Sequence, residues 1–257
     1  PNENLEGEEG DEGNNYASGD KDGLELPSPQ RELMRAVAET GKPVILCLMA
    51  GSDIDLSYAR EHFDAVLQLW YPGARGGEAA AKILFGEVSP SGKLCVTFYE
   101  NPEELPDFED YSMKGRTYRY LETEAQYPFG YGLTYGRVKV QEAHIEKEDP
   151  YKIHVTYKNE GDRDTQEVLQ IYVDNADSPH APRNPRLCGF ARVTAKAGET
   201  CTRTVNLDPY TYTVINQEGK RIRDGRRFLF YAGCSQPDAV SRRLLKTDPV
   251  QIEYWME

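Results

Sequence analysis

Residues 44–50 read VILCLMA, seven positions without a polar break. A strand with one wet face alternates in polarity, whereas a strand covered on both faces does not, so this run predicts a parallel strand inside an α/β layer. Upstream, 27–41 (PSPQRELMRAVAETG) predicts a helix. Ser28 is placed to cap it, Pro29 suits its first turn, Leu33, Met34 and Val37 form one apolar stripe, and Gly41 with Pro43 stops it. Downstream come a short polar helix around 56–62, a second apolar strand at 65–70 (AVLQLW), a helix at 77–85 (GEAAAKILF) and a strand at 93–99 (KLCVTFY). Strands alternating with helices at this spacing indicate parallel pairing.

Beyond Tyr135 the period changes to two. The runs 152–158 (KIHVTYK), 167–173 (EVLQIYV), 187–193 (LCGFARV), 200–207 (TCTRTVNL) and 227–232 (RFLFYA) are separated by turn signals such as Asn159-Glu160-Gly161-Asp162 and Ala197-Gly198. Roughly seven short strands over about a hundred residues predict an antiparallel sandwich of the immunoglobulin or fibronectin type III kind. The fold class is therefore a partial parallel α/β sandwich followed by an all-β sandwich. We divide the chain into 1–110 (α/β), 111–136 (linker) and 137–257 (β-sandwich). Two or three parallel strands cannot be covered on both faces by three helices, because twin helix layers need a wider sheet. The expectation is that the missing strands come from polypeptide outside these residues.

The 257 residues carry a formal net charge of −13. Nine acidic residues against one lysine in 1–26 account for eight of those charges, so the acidity belongs mainly to the head. By composition alone such a Gly-rich acidic head reads as a solvated tail. Nucleic acid is excluded as a partner, since phosphate binding needs concentrated Lys and Arg. No apolar run reaches the roughly eighteen residues of a membrane span, so no membrane partner is expected. Five widely spaced cysteines without a CxxC pair, and no visible leader after Pro1, lean towards a reducing, cytoplasmic location. His62, His144, His154 and His180 show no ligand spacing, so neither a histidine metal site nor a His-based triad is expected.

Several blocks resemble glycoside hydrolase family 3. Leu5-Glu6-Gly7-Glu8-Glu9 followed by Leu24-Glu25-Leu26-Pro27 and Gln30 is similar to that family's E-G-E-x…L-x-L-P-x-x-Q segment. Thr40 to Ile45, Trp70-Tyr71-Pro72-Gly73, Gly76-Gly77-Glu78-Ala79, Leu84-Phe85-Gly86 and Ser89-Pro90-Ser91-Gly92-Lys93-Leu94 continue the series in family order. Gly115 to Tyr120, Tyr127 to Tyr135, Asn159-Glu160-Gly161 and Leu187 to Phe190 extend it into the sandwich. The resemblance implies a retaining β-glycosidase that removes terminal sugars with two carboxylates about 5–5.5 Å apart. It implies that the nucleophilic Asp lies in a TIM-like barrel outside these residues, and that Glu8 is the general acid/base, with Glu6 next and Glu9 third. Crowding by Glu6, Glu9 and Asp11 would raise the Glu8 pKa, as a proton donor requires. Many members continue directly with an Asp-Arg pair, whereas here Gly10 to Asn15 intervenes and Gly19-Asp20-Lys21-Asp22 takes the later position.

Asp53, in Gly51-Ser52-Asp53-Ile54, copies a Ser-Asp nucleophile motif but stands in the wrong domain for that role. Glu6 to Glu9, Gln30 to Leu33 and Val96 to Tyr99 lean towards β-xylosidases, with β-glucosidases second. The implied partners are an oligosaccharide or glycoside substrate and the rest of the enzyme, with no metal or organic cofactor, and the chain alone is expected to be inactive. The rival reading is a non-catalytic carbohydrate-binding or structural fibronectin-like module. Trp70-Tyr71-Pro72-Gly73 reads either as a sugar-facing aromatic rim or as packing. Gly76-Gly77 reads as close helix packing, and Arg116 and Arg119 are expected to pair with carboxylates across a domain boundary.

Overall fold

The computed structural model describes residues 23–256 apart from 102, 104 and 108. The chain divides into two compact units, one running to Val88 and resuming over Phe98–Leu105, the other comprising Ser89–Thr97 and Pro106–Glu257.

The first unit contains α1 (Ser28–Ala38), β1 (Ile45–Leu48), α2 (Ser57–His62), β2 (Ala65–Gln68), α3 (Gly76–Leu84) and the two-residue β3 (Phe98–Tyr99). Ser28 is the first helical residue of α1 and not its cap; the Pro27 carbonyl accepts the Gln30 and Arg31 N–H groups instead. Of the apolar stripe, Met34 is buried and Leu33 is exposed. β1 and β2 pair in parallel, with Ile45 opposite Ala65 and Leu48 opposite Gln68. Leu48 is buried while Ile45 and Cys47 are exposed, so the described residues cover one face of a strand whose composition suits two.

The strand expected at 93–99 is corrected. Only Phe98–Tyr99 is strand, and Ser89–Thr97 belongs to the second unit. There Leu94 exchanges backbone hydrogen bonds with Gly130 and Tyr131, both 2.8 Å. Lys93 is buried and its Nζ lies 2.8 Å from a Glu167 carboxylate oxygen that is equally buried. A charged lysine in an apolar run can be buried only where a counter-charge meets it, and that counter-charge lies on the sandwich.

The second unit adds α4 (Thr117–Tyr120), β4 (Ala125–Tyr127), β5 (Val138–Ile145), β6 (Lys152–Asn159), β7 (Thr165–Asn175), β8 (Arg186–Ala195), β9 (Thr200–Asn206), β10 (Val214–Ile215), β11 (Arg221–Ile222), β12 (Arg227–Gly233), α5 (Ala239–Leu245) and β13 (Val250–Trp255). A four-stranded antiparallel sheet, β13-β12-β7-β8, faces a three-stranded one, β5-β6-β9. This is the predicted sandwich. Every second residue of β6 is buried, as the period-two reading requires. Ile153, Val155, Leu169, Ile171, Val205, Phe228 and Phe230 fill the core. Tyr212 packs edge-on against Phe228 and donates its hydroxyl hydrogen to the Pro150 carbonyl at 2.5 Å.

Asn159 ties the sandwich corner together. Fully buried, it donates from Nδ2 to the Arg163 and Ala195 carbonyls (2.8 and 3.0 Å), and its Oδ1 accepts from the Arg137 and Gly161 N–H groups (2.9 and 3.0 Å). Asn159→Ala strands four backbone groups at once. The expected cost is about 2–4 kcal/mol in urea unfolding, and Asn159→Asp, which keeps only the acceptors, should not restore it. A loss below about 1 kcal/mol would show that these groups find other partners.

Candidate functional site

Glu8, Glu6 and Glu9 lie outside the described residues. The first unit does show where the acidic head joins the fold. The Leu24 carbonyl accepts the Asp55 N–H at 2.7 Å, Leu26 is buried, and Glu25 pairs with Arg31 at 2.5 Å. Leu24 is therefore held beside the Gly51–Leu56 loop, which follows β1. In α/β layers the loops at the carboxyl ends of parallel strands are the ones that meet ligands.

β2 ends at the same edge. The Leu69 N–H donates to the Leu48 carbonyl at 2.8 Å, and the chain then turns sharply through Trp70. Trp70 has φ +54°, a left-handed conformation unusual for a bulky residue, and its half-buried ring meets Phe98 edge-on at 6.4 Å. Tyr71 is 62% exposed. Its ring lies over Gly51, where an added Cβ would fall 2.6 Å from Tyr71 Cε2, so the glycine is what admits the tyrosine. Of the two aromatics, Trp70 is packing and Tyr71 is the exposed one. Gly76 packs against Pro72, whose Cβ would stand 2.5 Å from a Cβ at that glycine.

The two carboxylates of this loop hold its shape. Asp53 Oδ2 accepts the Tyr99 N–H at 2.8 Å, and Asp55 Oδ1 accepts the Ser57 N–H and hydroxyl at 2.9 and 2.5 Å, leading into α2. Arg60 grips Glu100 with both terminal nitrogens, at 2.9 and 3.0 Å. The Asp53 and Asp55 carboxylates are thus taken up in holding the loop, and the exposed aromatic at this edge is Tyr71.

In the second unit the arginine expectation is corrected. Arg116 Nη2 donates to the Pro106, Asp107 and Asp110 carbonyls (3.4, 2.7 and 2.9 Å), and the Arg119 guanidinium lies 5.8 Å from the Tyr118 ring centroid. The Pro106–Asp110 loop turns its carbonyls inward, and a planar guanidinium serves several acceptors at once. Tyr118 stacks on Phe129 at 4.3 Å, and burial pushes the Tyr131 hydroxyl up to about 12.

Two histidines that the sequence leaves isolated meet across the β5–β6 ladder. His144 stacks on His154 at 5.0 Å, while His154 Nε2 lies 3.3 Å from Glu146 and its Nδ1 3.0 Å from Thr204 Oγ1. The strand register alone creates this pair. Among the described residues no three His, Cys, Asp or Glu side chains are grouped to hold a metal, and no helix is long and apolar enough to cross a membrane.

Residues 2–135 match the glycosyl hydrolase family 3 C-terminal domain, and 167–236 match a fibronectin type III-like domain. A xylan 1,4-β-xylosidase of Xylanibacter ruminicola is 42% identical over 237 residues, covering 90% of this chain and 27% of that protein. A periplasmic β-glucosidase of Salmonella typhimurium is 31% identical, covering 82% of this chain and 30% of its own length. A β-glucosidase from Streptomyces venezuelae, solved in complex with D-glucose, superposes with a TM-score of 0.75 at 28% identity, over 93% of this chain and 32% of that one. The chain spans about a third or less of each of these relatives.

Proposed function

Because the chain belongs to glycosyl hydrolase family 3, we propose that it forms the C-terminal part of a retaining, exo-acting β-glycosidase that removes terminal β-D-xylosyl residues, with β-D-glucosyl second. The observation that carries the reading is the family match over 2–135, together with the 42% identity to a xylan 1,4-β-xylosidase. The half-covered β1 is in keeping with an α/β layer completed by further polypeptide. The functional division at 1–110, 111–136 and 137–257 belongs to the same reading.

Glu8 acts as the general acid/base in this reading. Its carboxylic proton passes to the glycosidic oxygen while an Asp of the barrel attacks the anomeric carbon, forming a glycosyl–enzyme ester and releasing the aglycone. Glu8, now a carboxylate, takes a proton from water as that water attacks the same carbon. The Asp leaves, and the sugar retains its configuration. A donor neutral at working pH needs a raised pKa, and the neighbouring Glu6, Glu9 and Asp11 act in that direction.

Mixing the purified chain with the separately produced barrel portion, and assaying aryl β-xyloside and aryl β-glucoside, tests the proposal. Neither part alone should cleave; together they should, faster on the xyloside, and Glu8→Gln should abolish the gain. Cleavage by the chain alone, or xylan binding by the chain with no activity on reconstitution, would overturn it.

A further inference from the structure

Within the second unit a cleft of about 610 Å³ lies between residues 132–138, the turn at 160–162 and the last residues of α5. That volume falls in the usual range of small-molecule sites. The walls are mixed. Leu133, Val138, Leu244 and Leu245 give them an apolar side, and the Glu167 side chain lines them too.

Glu167 is the unusual member. Its side chain is only 6% exposed, and the Lys93 ammonium meets it at 2.8 Å. Both of its contacts fall on one oxygen, because Oε1 takes the ammonium and also the Val168 N–H at 2.6 Å. Among the described residues no donor reaches Oε2. An acceptor so deeply placed is costly to leave without a donor. The cleft therefore presents one carboxylate oxygen whose missing partner has to come from what enters it.

Charge decides what can enter. The cations Arg137, Lys139 and Lys93 are matched by Glu160, Asp162 and Glu167, so the walls carry no net charge. The rim cations are also engaged: Lys139 Nζ lies 3.1 Å from Glu160, and Arg137 Nη2 donates to the Glu160 carbonyl at 3.0 Å. An anion would be set against the Glu167 carboxylate, and a cation against the Lys93 ammonium beside it. A neutral ligand meets neither cost. It must still donate to oxygen and lie against leucine, and a sugar does both, through its hydroxyls and its C–H face.

We propose that this cleft binds a neutral pyranose sugar, with one hydroxyl donating to Glu167 Oε2 and the C–H face lying on the leucine side. The choice of a xylose-based ligand rests on the glycosidase reading above. The preference for a neutral ring rests on the charges of the cleft alone.

The test titrates the full, isotope-labelled chain with xylobiose and follows amide shifts by NMR. The Gly132, Gly136 and Gly161 amides, all in the wall, should move together with a dissociation constant of about 10⁻⁴–10⁻³ M. D-Glucosamine and D-glucuronate, the same ring with a charge, should bind at least about tenfold more weakly than D-glucose. Glu167→Gln and Leu133→Trp should each weaken xylobiose binding at least about tenfold. Phe190→Ala, an exposed aromatic outside the cleft, should not. Should Glu167→Gln fail to fold, Leu133→Trp alone decides, because Leu133 is 59% exposed and a larger side chain there fills the cleft. No shift up to about 10 mM sugar would overturn the proposal, as would charged and neutral rings binding alike, or binding unchanged in Leu133→Trp. Activity on reconstitution is a separate measurement, so failure of the sugar cleft leaves the glycosidase reading standing, and the reverse.

Discussion

Glu8→Gln in the complete enzyme is expected to slow hydrolysis of an unactivated β-xyloside by about 10²–10⁴-fold. The amide keeps the size of the side chain and loses the proton that the leaving oxygen needs. The loss should shrink for aryl glycosides whose leaving group is already a weak base, since less protonation is needed to expel it. Deglycosylation then becomes limiting, and azide, which needs no base to attack, should restore turnover and give a β-glycosyl azide. The limb of the pH profile that reports the protonated donor should vanish. Glu6→Gln and Glu9→Gln, tested alongside, should change the rate by only a few-fold. If Glu6→Gln destroys activity while Glu8→Gln leaves the pH profile intact, the assignment of the donor to Glu8 is wrong.

Lys93→Met is expected to cost about 3–5 kcal/mol of stability in urea unfolding. Lys93 and Glu167 side chains are 8% and 6% exposed, their charged atoms lie 2.8 Å apart, and Lys93 Nζ also donates to the Gly132 carbonyl at 2.6 Å. Removing the lysine leaves a buried carboxylate that still accepts the Val168 N–H at 2.6 Å but has lost its counter-charge. The double variant Lys93→Met, Glu167→Leu should recover most of the loss, because two desolvated charges are replaced by two apolar groups.

The pH response separates this from a packing defect. Burial holds the Glu167 pKa above its ordinary 4.5, while Lys93 and the Val168 N–H pull it back down. A carboxyl whose folded pKa exceeds its unfolded one binds its proton more tightly in the folded state. Stability therefore falls as pH rises from 4.5 through the folded value. Without Lys93 the folded value climbs further, so that fall should steepen and the deficit of Lys93→Met should narrow in acid. A deficit that does not vary with pH would mean that the carboxylate is not buried alone.

Much of this chain is readable one residue after the next. The alternation of KIHVTYK appears directly as the alternating burial of β6, and the run around VILCLMA became a parallel strand, because side-chain direction in a strand depends only on sequence parity. The ordered blocks from Trp70 to Tyr135 were legible for the same reason, since each is a local turn, cap or close approach. KLCVTFY was the exception. Its apolar content reads as strand, yet Lys93 drew residues 89–97 into the other unit through a carboxylate far along the chain. Arg116 likewise found carbonyls where carboxylates were expected, and His144 met His154 only through the ladder between β5 and β6.

By itself, then, the sequence determined the helix–strand alternation as far as α3, the period-two strands of the sandwich, the two fold classes and the family, together with an acidic head in which Glu8 is the candidate donor. Only the tertiary structure decided which groups meet: Lys93 with Glu167, the four bonds of Asn159, and Tyr71 over Gly51. The physical reason is range. Periodicity and capping act over three or four neighbouring residues, whereas an ion pair or a hydrogen-bond partner is set by strand register and by which burial a charge can tolerate.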